Sequence, residues 1–261
     1  MIYAAFTLWL FLALFMGAGV FRLWTGLVPP RFVNWALLPG TVVSEMAYIF
    51  GCLITGGEVR RAKLMDSGGG GGKGKSKGEG KGGGDGGPTS DASPGLKGLG
   101  LVLASLLAVV ACGAGILLVQ WLLGASVMER FHALLPKDVP TTWHGFWETF
   151  GQQASMLQST CETYGDLKWS EWRIPLFVYL ALCLSIQLAP VRRPMRPTLA
   201  AVVLIAGLIA LAGSLSTQFH RLIEDIWPLL TYVWSSLLLM LLLTLVIRGL
   251  VGLVQILRGK A

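Results

Sequence analysis

The chain has 261 residues, of which 54% are hydrophobic and only 13% charged, about half the charged fraction of an average soluble domain. Its charges are gathered into a few places, with long uncharged windows between them. That distribution excludes a cytosolic enzyme and marks a membrane protein, while leaving the activity open. The net charge of +7 does not point to a nucleic acid partner, because the basic residues flank apolar windows and are not interleaved with base-stacking aromatics.

Residues 1–21, 98–128, 174–191, 197–220 and 226–247 contain no Asp, Glu, Lys or Arg. Each window is about the length that crosses a hydrocarbon core of roughly 30 Å at 1.5 Å per residue. A sixth candidate, 32–56, is apolar except for Glu45 and is interrupted by Pro39-Gly40, which sets a short helix starting at Thr41, either a tilted span or a partly re-entrant one. The first window has no basic n-region and no Ala-x-Ala cleavage site, so it reads as a retained helix rather than a signal peptide. The fold class expected is all-α: a polytopic transmembrane bundle of about six spans.

The segments 60–97 and 191–197 and the C-terminal tail hold most of the lysines and arginines. With six spans they share one side, which the positive-inside rule makes cytoplasmic. Both termini are then cytoplasmic, in a plasma (inner) membrane, and the lipid bilayer is the first partner, with other membrane proteins as further candidates. Three segments follow: 1–59 with the first two helices, 60–97 as a linker, and 98–261 with four helices and an outer loop over 129–173. Arg221, Glu224 and Asp225 read as the outer turn between the last two spans.

The linker is rich in glycine and lysine, with 13 of the 34 glycines between Ser67 and Gly87. Such a composition cannot bury a core and predicts a flexible segment able to touch anionic lipid. Within it Gly69 to Ser76 fits the phosphate-loop pattern G-x-x-x-x-G-K-S, but no apolar strand precedes it and no helical pattern follows, so composition explains the match.

In the outer loop Trp143, Phe146, Trp147, Phe150, Ala154, Leu157, Cys161 and Tyr164 recur at helical spacing, with His144, Glu148, Gln152, Gln153 and Glu162 on the other side. This predicts one amphipathic helix capping the bundle or lying in the outer interface. His144 with Glu148, and His220 with Glu224, are i,i+4 pairs. Two ligands are too few for a metal centre, so His144 and Glu148 stand as a candidate outer surface and no metal or other cofactor is expected. Cys52, Cys112 and Cys183 fall inside proposed spans, Cys161 falls outside them, and no C-x-x-C pair occurs.

The residues Leu37-Leu38-Pro39-Gly40-Thr41-Val42-Val43-Ser44-Glu45-Met46-Ala47-Tyr48, followed by Leu53-Ile54-Thr55-Gly56-Gly57-Glu58-Val59, form the motif with the most chemical content. The stretch resembles the Pro-Gly and H-E-x-x-H helix, trailed by Thr-Gly and a Val, of membrane-embedded zinc proteases of the site-2 type. In that family two histidines hold zinc and the glutamate is the general base. Here only Glu45 matches, Ser44 and Tyr48 occupy the ligand positions, and no later third ligand follows. Over its 25 or so residues the resemblance implies a catalytically inactive relative. The residues also admit other readings of Glu45: a carboxylate near a helix start capped by Thr41, favoured by the helix dipole, or the polar centre of a transporter or channel subunit. The function expected is non-enzymatic, a binding or scaffolding role in a membrane complex, with Glu45, Ser44 and Tyr48 as candidate functional residues.

Overall fold

The structure is a computed structural model that describes residues 2–63, 89–93, 99–132, 143–188, 195–215 and 217–257. Among the described residues the uncharged windows are helical except at Gly124 and Leu188. In chain order the elements are α1 (Ile2–Leu27), α2 (Pro30–Ala36), α3 (Leu38–Ile54), β1 (Glu58–Lys63), β2 (Thr89–Ser93), α4 (Leu99–Leu123), α5 (Ala125–His132), α6 (Trp143–Gly151), α7 (Gln153–Asp166), α8 (Arg173–Gln187), α9 (Met195–Leu215) and α10 (Thr217–Leu257). Three stretches, Phe6–Leu27, Leu99–Leu123 and Ile223–Val254, are long and apolar enough to cross a membrane, while Leu38–Ile54, Arg173–Gln187 and Leu199–Leu211 are apolar but shorter.

Side-chain pairs give the direction of each helix. Ser44 faces Cys112 and Gly51 faces Ala104, so α3 and α4 are antiparallel. Cys112 faces Gln187, Gly115 faces Leu184 and Gly124 faces Phe177, so α4 and α8 are antiparallel as well. Trp9 meets Trp227 and Trp234, Gly19 meets Leu241, and Trp24 meets Thr244; α1 and α10 therefore run parallel. Tyr3 meets Gly213 near the end of α9, which makes α9 antiparallel to both. Tyr232 of α10 meets Phe131 edge-on beyond the end of α4 and Phe177 near the start of α8, while Gly17, further along α1 than Trp9, faces Ser185 and Ile186 near the end of α8. Hence α1, α8 and α10 share one sense, and α4 and α9 the other.

Six spans are not confirmed: three helices are long and apolar enough to cross a membrane, and the helix directions differ from those of six alternating spans. A first and a sixth span must be antiparallel, whereas α1 and α10 are parallel. The break lies at α3, which runs in the sense of α8 and therefore also of α1. Between α1 and α3 lie only Val28, Pro29, α2 and Leu37, and the 7 residues of α2 rise about 10 Å.

Two further expectations are corrected. The outer turn at Arg221, Glu224 and Asp225 is absent, since α10 runs unbroken for 41 residues through Pro228; a proline removes one ladder hydrogen bond, which neighbouring helices can offset. The single amphipathic helix is broken at Gln152 into α6 and α7. On α7 the buried residues are Met156, Thr160 and Thr163, whereas Ala154 and Cys161, like Trp147 on α6, are exposed. Thr160 and Thr163 donate to the carbonyls of Met156 and Ser159, both at 2.7 Å. With their hydroxyls satisfied on their own helix, these threonines bury as apolar groups do, which a hydrophobicity pattern does not anticipate.

The linker 60–97 is not structureless throughout. Its flanks pair as antiparallel strands, Val59 opposite Ala92 and Lys63 opposite Thr89, with an irregularity between Val59 and Ala62. Gly56, in the left-handed region at φ 71°, turns the chain from α3 into β1 without strain. Residues 64–88 and 94–98, including the phosphate-loop-like segment, lie outside the described residues.

Candidate functional site

The site begins where α2 gives way to α3 at Leu37, a kink with φ −96° and ψ 13°. Pro39 is accommodated at the start of α3, where a missing N–H costs little. Thr41 is not a cap: its hydroxyl donates to the Leu37 carbonyl at 2.8 Å and accepts from Gln187 Nε2 at 3.0 Å. This places Glu45 in the body of the helix and corrects its reading as an acid at a helix start.

Two glycines set how closely α3 is held. A Cβ at Gly40 would strike the Cys183 carbonyl, and one at Gly51 would come within 2.7 Å of the Ala104 Cα, so neither position admits a side chain while α8 and α4 stay where they are. Beside Gly40 the Ala36 carbonyl accepts from Tyr179 at 2.7 Å and from the Cys183 thiol at 3.4 Å.

Between these clasps Ser44 and Tyr48 occupy one face of α3 and are buried, 8% and 6% exposed. Tyr48 packs with Cys52, Ala104 and Ala108, and the Ser44 hydroxyl lies beside the Cys112 thiol. Cys112 in turn donates to the Gln187 carbonyl at 3.8 Å. Ser44, Cys112, Gln187, Thr41 and Leu37 thus form one polar thread across three helices. Glu45 is one residue, about 100° of helix, away from Ser44, and is half-buried on the flank. The sequence-predicted trio is therefore divided by burial: Ser44 and Tyr48 are buried at the α3–α4 contact, and Glu45 is half-buried.

His144 and Glu148 are both exposed on α6. The side chains of His132 and His220 lie outside the described residues. Among the described residues no three His, Cys, Asp or Glu side chains gather as metal ligands would.

Sequence reasoning missed the attachment of α7. Tyr164 OH lies 3.2 Å from Tyr232 OH and 2.9 Å from Ser236 Oγ, and Trp234 Nε1 donates to Gln153 Oε1 at 2.6 Å. The polar pair Tyr232 and Ser236, one turn apart in an apolar stretch, was the available signal, but nothing in the sequence names its partner. Burial pushes the Tyr164 phenol above its ordinary value, against the opposing effect of its Ser236 and Tyr232 hydrogen bonds.

No protein-family model, no curated protein and no solved structure matches this chain.

Proposed function

We propose that the chain is a non-catalytic integral membrane protein that acts by binding, as an assembly or scaffolding subunit of a membrane complex, with a degenerate site-2-protease-like helix at its centre. One observation carries this reading: the two positions that would hold zinc, Ser44 and Tyr48, are packed into the α3–α4 contact, with Ser44 engaged by Cys112. A catalytic centre needs an open coordination position and room for substrate; here that face is filled. The opposite face of α3 presents Met46, Phe50 and Leu53, each more than half exposed, beside Glu45.

The test has two arms. Purified protein is expected to carry well under one equivalent of zinc and to cleave no peptide, and stoichiometric zinc with cleavage abolished by Glu45→Gln would overturn the reading. In the second arm, photo-crosslinking residues at Met46 and Phe50 in native membranes are expected to yield a protein adduct of defined mass; lipid adducts alone would leave no partner on this face.

A second reading, a transporter or channel subunit with Glu45 at its polar centre, is favoured by a half-buried carboxylate within an apolar helix. It requires ion or proton flux in proteoliposomes that Glu45→Gln abolishes.

For the membrane topology we infer five crossings, α1, α4, α8, α9 and α10, with α2 and α3 re-entrant. Those five alternate in direction, whereas α3 runs in the sense of α1, from which only a short helix separates it. The C-terminal tail, 191–197, the linker and the α1–α2 turn then share the cytoplasmic side, with 16 of the 21 Lys and Arg residues, and the N-terminus lies outside. The positive-inside bias is stronger in this arrangement than with six spans, because Arg22 and Arg31 join the cytoplasmic set.

A further inference from the structure

Midway along α4 the bundle is not filled. A cavity of about 190 Å³ lies between α1, α4, α9 and α10, lined by Leu10, Gly113, Leu117, Ile205 and Leu230 among others, with almost no polar surface. We propose that this cavity is a binding site for the terminal segment of a lipid acyl chain, an inference that rests on the chain being a membrane protein but not on its role in a complex.

Three observations select the occupant. Water is disfavoured, because it needs two to four polar partners and the lining offers almost none. An empty cavity of this size leaves its lining side chains without contact atoms on one side. Access comes from the bilayer: Val110 and Leu117 line the cavity and are also 53% and 39% exposed on the outer face of α4. Gly113 lies two residues past the middle of the 25-residue α4. If α4 crosses the membrane, that is the depth at which acyl chains end. The volume holds about six groups of the roughly 30 Å³ that a water occupies, which suits the last methylenes and methyl of one chain and not a headgroup.

Gly113 also provides the test, since a Cβ there would meet nothing within 4 Å. The full-length protein, reconstituted in phosphatidylcholine vesicles, is titrated with a phosphatidylcholine carrying a nitroxide near the end of one acyl chain. The fraction of immobilised label is read by electron paramagnetic resonance. Wild type is expected to immobilise about one chain end per protein in a saturable manner beyond the ordinary annular population. Gly113→Phe, which fills the cavity, is expected to remove that component, whereas Gly207→Phe, at another open glycine that does not line the cavity, is expected to retain it. Gly113→Leu serves if the phenylalanine variant fails to fold, with the same loss expected. An immobilised fraction unchanged by filling position 113, or one that competes with a soluble hydrocarbon but not with lipid, would overturn the proposal.

Discussion

Gly40 on α3 and Cys183 on α8 are in backbone contact: a Cβ at position 40 would collide with the Cys183 carbonyl. Gly51 makes the corresponding approach to Ala104 on α4. Alanine in an open helical position is worth roughly 0.5–1 kcal/mol more than glycine, so the sign of the effect is diagnostic. Gly40→Ala and Gly51→Ala are expected to lower stability in detergent by about 1–3 kcal/mol, the usual cost of overpacking. Gly207→Ala, with nothing near its Cβ, is expected to be neutral or stabilising. Thermal melting of the three variants against wild type measures this, and a stabilised Gly40→Ala would show that α3 and α8 are not in contact.

The docking of α7 depends on the Tyr164 hydroxyl, which serves both Tyr232 and Ser236. Tyr164→Phe leaves those two hydroxyls short of a partner, and about 1–3 kcal/mol is expected to be lost. The same phenol makes a pH prediction. Its native pKa is raised by burial, so the native state holds the proton to higher pH than the unfolded chain does. The associated stability is complete below about pH 10, the ordinary tyrosine value, and is lost as pH rises from there toward the native value. Melting curves from pH 8 to 11 are expected to fall more steeply for wild type than for Tyr164→Phe; parallel slopes would remove Tyr164 from the account.

The proposed five crossings put the two termini on opposite sides of the membrane. Single cysteines at Ile2 and Lys260, in a background where the four native cysteines are replaced by serine or alanine, are expected to separate in intact cells. The first should react with an impermeant maleimide and the second only after permeabilisation. A cysteine at Ser76 in the linker is expected to behave as the one at Lys260 does. Labelling of the first and last positions from the same side would restore an even number of crossings.

The helical content of the bundle was legible in the sequence because membrane-crossing helices must be apolar over a fixed length, and charges mark their ends. Two things were not legible. Direction is set by which helix packs on which, so nothing in residues 32–56 alone gives the sense in which α3 runs; the contacts of Ala36, Gly40 and Thr41 with α8 give it. The packed face of α7 was misjudged for a different reason. Thr160 and Thr163 count as polar in any periodicity, yet their hydroxyls bond to their own helix, while the large aromatic Trp147 stays exposed. The motif at Ser44, Glu45 and Tyr48 was found from sequence, but its division between a packed face and a flank depends on Cys112 and Ala104, which lie far away in the chain.

Restoring the protease pattern tests that division directly. Ser44→His with Tyr48→His recreates the spacing of two zinc ligands around Glu45. If those positions faced an open site, saturating zinc would stabilise the folded protein by about 2.7 kcal/mol at a hundredfold excess over Kd, and the melting temperature would rise with zinc concentration. The positions are instead packed against α4, Tyr48 with Ala104 and Ala108 and Ser44 beside Cys112. A histidine at 44 must then displace its neighbours, and a histidine at 48 leaves part of the tyrosine's volume empty while burying a polar ring. The double variant is therefore expected to melt lower than wild type, by an amount corresponding to about 2–4 kcal/mol from overpacking at one position and a lost contact at the other, with no response to zinc. Zinc-dependent stabilisation of the double variant would mean that this face of α3 can open, and the packed reading of Ser44 and Tyr48 would fail.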